Sequence, residues 1–207
     1  MFREKGRPRR KGNPTPPPKI EESVESVESV EEKPEEKEEV VKSDPYQDVY
    51  NDIEGKKFYL DPGTSMVEAI YFYEDGYFDG MNKSGNDNQR AVSLYNGKFD
   101  IVEKIDNSTY KLKLVRLDYD VDPGKLESIS YGGLVCDVHY GETYIFGDMV
   151  NDYLYLYYPD KNPAELDEVI LGAMEQSGYK PTGNTLGKFV IGLDGGTGLM
   201  ELKEGEY

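Results

Sequence analysis

Apolar and polar side chains alternate repeatedly along residues 45–207, a period-two pattern typical of half-buried β-strands. The clearest instance is the pair Lys98–Ile105 and Thr109–Leu117, which a turn at Asp106–Asn107 joins into an antiparallel hairpin. The apolar face of the first strand comprises Phe99, Ile101 and Ile105, and that of the second comprises Tyr110, Leu112 and Leu114. After Leu114 the apolar phase shifts by one residue, which predicts a β-bulge or a bend.

Other segments alternate in the same way or are rich in aromatic and β-branched residues, and Gly, Asn or Asp turns separate them. They are predicted as strands at Lys57–Leu60, Val67–Glu74, Tyr77–Phe78, Ala91–Tyr95 (leading through Asn96–Gly97 into Lys98–Ile105), Leu134–Tyr140, Thr143–Phe146, Tyr153–Tyr158, Gly187–Leu193 and Leu199–Leu202. About eight to ten short strands and one helix predict a mainly β fold, an antiparallel β-barrel or closed sandwich.

The helix is predicted in the C-terminal half of the chain. Asn162 is a suitable N-cap, Pro163 fits the first turn, and Glu165 has the spacing of a capping box. An apolar stripe at helical spacing follows, made up of Leu166, Val169, Ile170, Ala173 and Met174, before Ser177–Gly178 ends the helix. Such a helix would pack on the outside of a barrel or close one of its ends. A short helical turn is also predicted within Tyr46–Ile53.

Composition divides the chain near Asp44 into a tail, residues 1–44, and a single domain, residues 45–207. All 18 Tyr lie in the domain, whereas the tail has Phe2 as its one aromatic residue. The tail consists of a basic segment, a Pro-rich segment and a Ser-Val-Glu repeat followed by a Pro/Glu/Lys-rich stretch. Because this composition offers little apolar area to bury, we expect a disordered tail that acts as a spacer, or is simply a solvated leader.

Charge limits the partners of the domain. Residues 1–19 contain seven basic residues and one acidic residue, and residues 20–44 contain three basic and eleven acidic ones. The domain, with 14 basic and 29 acidic residues, carries most of the total net charge of −17. Such a surface repels phosphate backbones and anionic lipid headgroups, so we expect no nucleic-acid partner. The chain has no run near the ~18 apolar residues of a membrane helix, so we expect no transmembrane span. We also expect a monomer.

Cys136 is the only cysteine, so the chain cannot form an internal disulfide. His139, the only histidine, follows three residues later. On a strand this spacing puts the two side chains on opposite faces, and one Cys with one His is too few for a zinc site. No apolar segment follows the basic N-terminus, so we expect either a cytosolic protein or an export segment outside this sequence.

Other catalytic and metal-binding patterns are equally weak. Asp118, Asp120 and Asp122 resemble the start of a calcium loop, but an EF-hand loop beginning at Asp118 would require Gly and Glu where this chain has Pro123 and Ile129. Pairs of carboxylates for glycoside hydrolysis depend on separation in space and give no sequence signal. The chain also lacks a phosphate-binding loop and a Gly-x-Ser-x-Gly elbow. We therefore expect no cofactor, no metal and no enzymatic activity.

Tyr153, Tyr155 and Tyr157 occupy alternate positions of one strand and therefore share a face; we call them the tyrosine ladder. Tyrosine offers a large contact area at low entropic cost and keeps a hydroxyl for specificity, which suits a ligand-binding face. The alternative is an outer barrel surface that the helix covers.

A set of motifs runs from about Asp52 to Met174. They are Phe72, Asp75-Gly76-x-Phe78, Tyr95-Asn96-Gly97-Lys98-Phe99, Lys104-Ile105-Asp106, Thr109-Tyr110-x-Leu112-x-Leu114 and Tyr155-Leu156-Tyr157-Tyr158-Pro159. As a set they resemble those of uncharacterised surface lipoproteins of Gram-positive bacteria. The resemblance implies a signal peptide and a lipidated cysteine, then a low-complexity linker and a lipocalin-like β domain anchored at the cell surface. This chain differs in having no Trp and no lipobox cysteine.

Three functional hypotheses remain open. The first is a non-catalytic, extracytoplasmic surface domain on a flexible spacer that binds a protein, a peptide or an envelope component. The second is a lipocalin-like carrier that holds a small apolar ligand in the barrel interior, which requires a cavity of roughly 300 Å³ or more. The third is a hydrolase that uses carboxylates in a cleft, at least one of them with a strongly shifted pKa.

Overall fold

A computed structural model describes residues 44–86, 88–131, 133–193 and 196–203. Apart from Asp44, the tail predicted to be disordered therefore lies outside the described residues. The strands are β1 Lys57–Leu60, β2 Val67–Phe72, β3 Tyr77–Gly85, β4 Gln89–Asp106, β5 Thr109–Tyr119, β6 Leu126–Tyr131, β7 Leu134–Tyr140, β8 Tyr153–Tyr157, β9 Val190–Leu193 and β10 Gly198–Leu202. The helices are α1 Gln47–Ile53 and α2 Glu168–Gln176, and 3₁₀ turns lie at Glu74–Gly76 and Pro163–Glu165.

Eight of the strands close into an antiparallel barrel in the order β3-β2-β1-β10-β9-β8-β5-β4, because β4 also pairs with β3. The mainly β, antiparallel barrel predicted from the sequence is thus confirmed. Strands β6 and β7 form a hairpin outside the closed barrel. It is joined to the barrel where β7 runs parallel to the first residues of β4, with Gln89 opposite Asp137 and Val92 opposite Tyr140.

The barrel interior is filled by the inward-facing residue of every second position. The largest fully buried side chains that the strands contribute are Phe58, Leu60, Ile70, Phe72, Phe78, Tyr95, Phe99, Leu112, Leu114 and Leu154. Phe146, which lies outside the strands, is also fully buried there. The rings of Phe78 and Phe99 stack at 4.8 Å between centroids, and Phe146 contacts both. Gly97 gives these rings room, because a Cβ at this position would lie 2.4 Å from the Phe78 ring.

The two ends of the barrel are covered differently. Helix α1 covers one end with Val49, Tyr50 and Ile53, and the Tyr50 hydroxyl accepts a hydrogen bond from the Ile101 amide at 2.9 Å. The opposite end is covered by residues 141–152, which we call the closing segment; its Phe146 is fully buried in the core.

Helix α2 packs on the outside of the barrel rather than in one of its ends. Its buried Ile170 and Met174 join Val190, Met200 and other residues in a second apolar cluster. Ile170 lies over Gly192, where an added Cβ would come within 2.6 Å of the isoleucine side chain. The small residue in β9 therefore lets the helix approach the sheet closely.

Several sequence predictions were wrong in detail. The segments Ala91–Tyr95 and Lys98–Ile105, given separately above, belong to one strand, since β4 is continuous from Gln89 to Asp106. Thr143–Phe146 is not a strand but part of the closing segment. The side chain of Ile105 is 47% exposed and does not face the core. The reason is that β4 has register irregularities after Ile101.

The predicted helix start was also wrong. Asn162 caps the 3₁₀ turn by accepting from the Ala164 amide at 3.1 Å, and α2 begins only after Asp167, whose carboxylate accepts from the Val169 amide at 2.7 Å. The predicted bulge is confirmed, because Lys98 pairs with Arg116 whereas Phe99 pairs with Leu114, which leaves Val115 as the extra residue.

Candidate functional site

The β6–β7 hairpin is the part of the described chain whose edge is best placed to meet a partner. On one side β7 is fixed to the barrel, because its Asp137 amide donates to the Asn88 carbonyl at 3.0 Å and Val138 is buried. On the other side, β6 pairs only with β7 among the described residues. The hairpin thus extends the barrel wall and ends in an open edge.

Side-chain contacts across the hairpin hold β6 in register. Lys125 lies 2.5 Å from the Glu127 carboxylate, and the Tyr140 hydroxyl donates to the same group at 3.1 Å. Lys125 and Tyr140 together hold the pKa of Glu127 below its ordinary value. On the other face, the Ser128 hydroxyl donates to Asp137 at 2.6 Å. Two of these contacts, from Tyr140 to Glu127 and from Ser128 to Asp137, link β6 to β7 through side chains.

The register determines which backbone groups of β6 face outward. The Tyr140 amide donates to the Lys125 carbonyl at 2.9 Å, and the strands remain paired residue by residue from Leu126 opposite His139 onward. Because hydrogen bonding in an antiparallel pair alternates, Glu127 and Ile129 direct their backbone groups toward β7. The alternate residues that direct N–H and C=O groups to the open edge are therefore Leu126, Ser128 and Ser130.

Apolar side chains on both faces of the hairpin are exposed. Among the described large hydrophobic residues, three of the four most exposed lie here: Leu134 (68%), Leu126 (65%) and Val135 (60%). Ile129 is also exposed. Native edge strands usually avoid such a combination of free backbone groups and apolar side chains, because it favours pairing with another chain.

The members of the tyrosine ladder share one face of β8, as their spacing predicted, and that face is the outer one. The three side chains differ in burial. Tyr157 is half-buried against the α2 cluster and stacks on Tyr155 at 6.3 Å between ring centroids. Tyr153 is 46% exposed, and the Lys111 ammonium lies over its ring at 4.3 Å. The helix therefore covers one end of the ladder and leaves the other open.

The other sequence candidates are not brought together into a site. Cys136 is half-buried on β7, and His139, three residues along the strand, is exposed. In the acidic triplet, Asp118 pairs with Arg116, and Asp120 accepts from Asn96 at 3.0 Å. The described residues contain no cluster of three or more His, Cys, Asp or Glu side chains that could hold a metal ion.

One feature of the interior that the sequence analysis missed is a buried carboxyl group. Glu68 is sealed from solvent at the closing-segment end of the barrel. Its oxygens accept hydrogen bonds from Asn82 at 2.8 Å, from the Thr143 hydroxyl at 2.6 Å, from the Tyr144 amide at 3.0 Å and from the Tyr95 hydroxyl. Burial raises the pKa of Glu68, and the four hydrogen bonds oppose that effect.

The inward position of Glu68 could have been found from its place between Val67 and Ile70 in an alternating strand, whose even-numbered residues face the core. Strand β6 had a weaker signal, because Leu126, Ile129 and Tyr131 do not follow a single period-two pattern. Its edge position depends on the pairing of β7 with β4, which local sequence does not encode.

The chain has no significant match to a protein-family model, to a curated protein or to a solved structure. Within the described residues, neither helix combines the length and apolar character needed to cross a bilayer.

Proposed function

We propose that this domain is a non-catalytic binding module that captures an extended segment of another protein at the open edge of β6. The observation that carries the proposal is the combination, in one hairpin, of unpaired backbone groups at the sheet edge and exposed Leu126, Ile129 and Leu134. In such strand addition, backbone hydrogen bonds supply affinity, and pockets for alternate side chains supply specificity.

The charge of the domain favours a basic segment over a second copy of this chain. A domain in which acidic residues outnumber basic ones 29 to 14 attracts cations over long distances and repels another copy of itself. Lys125, directly before β6, is already paired with Glu127. A partner strand that alternates apolar and basic residues would match both the exposed apolar side chains of the hairpin and the negative electrostatic field of the domain.

The location that fits this function is the cell surface, with residues 1–44 as a spacer; this part of the proposal rests on the resemblance to surface lipoproteins. Protease added to intact cells of the source organism should remove the domain at a rate close to that seen in lysed cells. Complete protection until lysis would contradict a surface location and would leave the binding proposal intact.

The two other hypotheses receive less support. A barrel interior occupied by stacked aromatic rings leaves a carrier function little room for a ligand. For a hydrolase, Glu68 has a raised pKa, but its hydrogen-bond partners are an amide, two hydroxyls and a backbone N–H, and it is sealed from solvent. That environment suits a structural group better than a general acid.

The experiment uses the full chain and a blocked peptide of about eight residues that alternates Lys and Val, a length typical of strands. Amide hydrogen exchange should slow at Leu126, Ser128 and Ser130 when the peptide binds. The Ser128→Pro variant removes an outward N–H without removing a β6–β7 hydrogen bond and should abolish binding. Ser128→Ala loses the same contact to Asp137 but keeps the N–H, so it should bind as the parent chain does.

Three outcomes would overturn the proposal. Equal binding by Ser128→Pro and Ser128→Ala would place the peptide away from the β6 edge. Equal binding of a peptide with Glu in place of Lys would remove the argument from charge. Concentration-dependent dimerisation without peptide, lost in Ser128→Pro, would make a second copy of the chain the partner.

A further inference from the structure

A second surface feature lies on the outer wall of the barrel, on strands β1 to β3, and plays no part in the proposed strand addition. Outward-facing residues of β1, β2 and β3 surround an open groove of about 410 Å³, within the ~300–1,000 Å³ range of ligand pockets. Three of them form a row across the strands, because Tyr59 pairs with Ala69 and Ala69 pairs with Met81. The small side chain of Ala69 forms the floor, and the larger neighbours form the walls.

The groove is lined mainly by carbon. Besides the central row, Val67, Tyr71 and Leu202 contribute apolar or aromatic side chains. The ring of Tyr71 packs edge-to-face against the ring of Tyr73 at 5.0 Å between centroids, which stabilises its position in the groove wall. An apolar chain could therefore lie in the groove in contact with several side chains that are already ordered.

The charged residues at the rim of the groove indicate which charge a ligand would carry. Lys57 lines the groove, is exposed and has no ion-pair partner among the described residues. Asp79 also lines it, but its carboxylate accepts a hydrogen bond from the Tyr73 hydroxyl at 2.8 Å. The two charges lie on either side of Tyr71, two strand spacings or roughly 10 Å apart. The net charge of the domain repels anions at long range, but salt screens that repulsion beyond about 8 Å. Within the groove, a single anionic group can contact Lys57 without approaching Asp79.

We propose that this groove binds an anionic amphiphile, with its apolar chain over Ala69 between Tyr59, Tyr71 and Met81 and its anionic group on Lys57. The ligand class is an acyl chain that ends in a carboxylate or a phosphate. The site is on the outer wall of the barrel, not in its interior, and it is independent of the β6 edge.

Titration of the full chain with dodecanoate, below its micelle concentration, tests the proposal. The methyl NMR signals of Val67, Ala69 and Met81 should shift together and saturate. Dodecanol and dodecylammonium should bind more weakly, and Lys57→Gln should weaken dodecanoate by roughly threefold, the size expected for one exposed ion pair. Lys113→Gln, which removes the same charge from β5, is the matched control and should leave the affinity unchanged. Dodecyl phosphate in place of dodecanoate distinguishes the two head groups.

Ala69→Phe should abolish binding by filling the floor, and Met81→Gln, at an exposed position, provides a second variant if the first does not fold. Shifts confined to residues outside the groove would overturn the site. Equal affinity for dodecanoate and dodecylammonium, or an equal effect of Lys57→Gln and Lys113→Gln, would overturn the anionic ligand class. The peptide experiment at β6 is unaffected by any of these outcomes.

Discussion

The Thr143 hydroxyl donates a hydrogen bond of 2.6 Å to the Glu68 carboxylate across 75 residues of sequence. The same Thr143 oxygen accepts from the backbone amides of Ile145 at 3.2 Å and Phe146 at 3.1 Å. One carboxyl group on β2 thus fixes the turn of the closing segment, and that turn places the Phe146 ring among the barrel aromatics. Glu68 is in this sense the internal anchor of one end of the barrel.

Removing the anchor should be costly. In Glu68→Ala, the Asn82 side chain, the Tyr144 amide and two hydroxyls lose their common acceptor inside the core. We expect a loss of about 3–5 kcal/mol in the free energy of unfolding, measured by urea denaturation. Glu68→Gln should lose only about 1–2 kcal/mol, because its carbonyl can still accept from Asn82 and Tyr144 and the Tyr95 hydroxyl can rotate to accept from its amide. The Thr143 hydroxyl, whose oxygen already accepts from two backbone amides, loses its acceptor. Equal losses in the two variants would contradict this expectation, because glutamine keeps the volume of Glu68 and would then have replaced none of its hydrogen bonds.

The raised pKa of Glu68 predicts a pH dependence of stability. A carboxyl group whose pKa is higher in the folded than in the unfolded state contributes stability that is complete below the unfolded pKa. That contribution is lost as the pH rises through the folded pKa. Measured against Glu68→Gln, which does not titrate, the parent chain should therefore gain relative stability as the pH falls from 7 toward the ordinary glutamate pKa of about 4.3.

The comparison of the two chains cancels the contributions of other titrating groups, such as Glu127, whose pKa is lowered and whose effect has the opposite sign. A difference in unfolding free energy that is constant across this pH range would mean that Glu68 keeps an ordinary pKa. A parent chain that loses relative stability in acid would mean that the hydrogen bonds outweigh burial.

The Gly97→Ala variant tests whether the close packing of Phe78 and Arg116 against β4 requires a glycine at this position. An added Cβ would lie 2.4 Å from the Phe78 ring and 2.6 Å from the Arg116 carbonyl oxygen. Gly97→Ala should therefore cost about 1–3 kcal/mol of stability through overpacking. Gly172→Ala is the matched control: it lies within α2 and has nothing within 4 Å of the added methyl, so it should stabilise by about 0.5–1 kcal/mol. A neutral Gly97→Ala would show that the ring and strand can move apart freely.

The same glycine explains one limit of sequence-based prediction. Asn-Gly is a strong local turn signal, yet here the backbone stays extended. Gly97 instead leaves space for the ring of Phe78 on the neighbouring strand. The closing segment is a second case, since Thr143–Phe146 has a strand-like composition and its turn is imposed by Glu68. In both places a distant side chain outweighs local propensity.

Prediction succeeded where burial repeats within a single strand. Tyr110, Leu112 and Leu114 face the core, and the phase shift beyond them corresponds to the bulge at Val115. The tyrosine ladder was placed on the correct strand for the same reason. The β6 edge and the outer groove depend on which strands become neighbours, and the pattern within one strand does not contain that information.

The tyrosine ladder offers a last test, because its members differ in burial. Tyr157 packs between Tyr155 and the α2 cluster, so Tyr157→Ala should cost about 2–3 kcal/mol in the free energy of unfolding and loosen the contact of α2 with the barrel. Tyr153→Ala removes an exposed ring over which Lys111 lies and should change stability by less than about 1 kcal/mol. Urea denaturation of both variants measures the difference. A large loss in Tyr153→Ala would show that the ladder acts as one structural unit, whereas a neutral pair would mean that α2 is held without Tyr157.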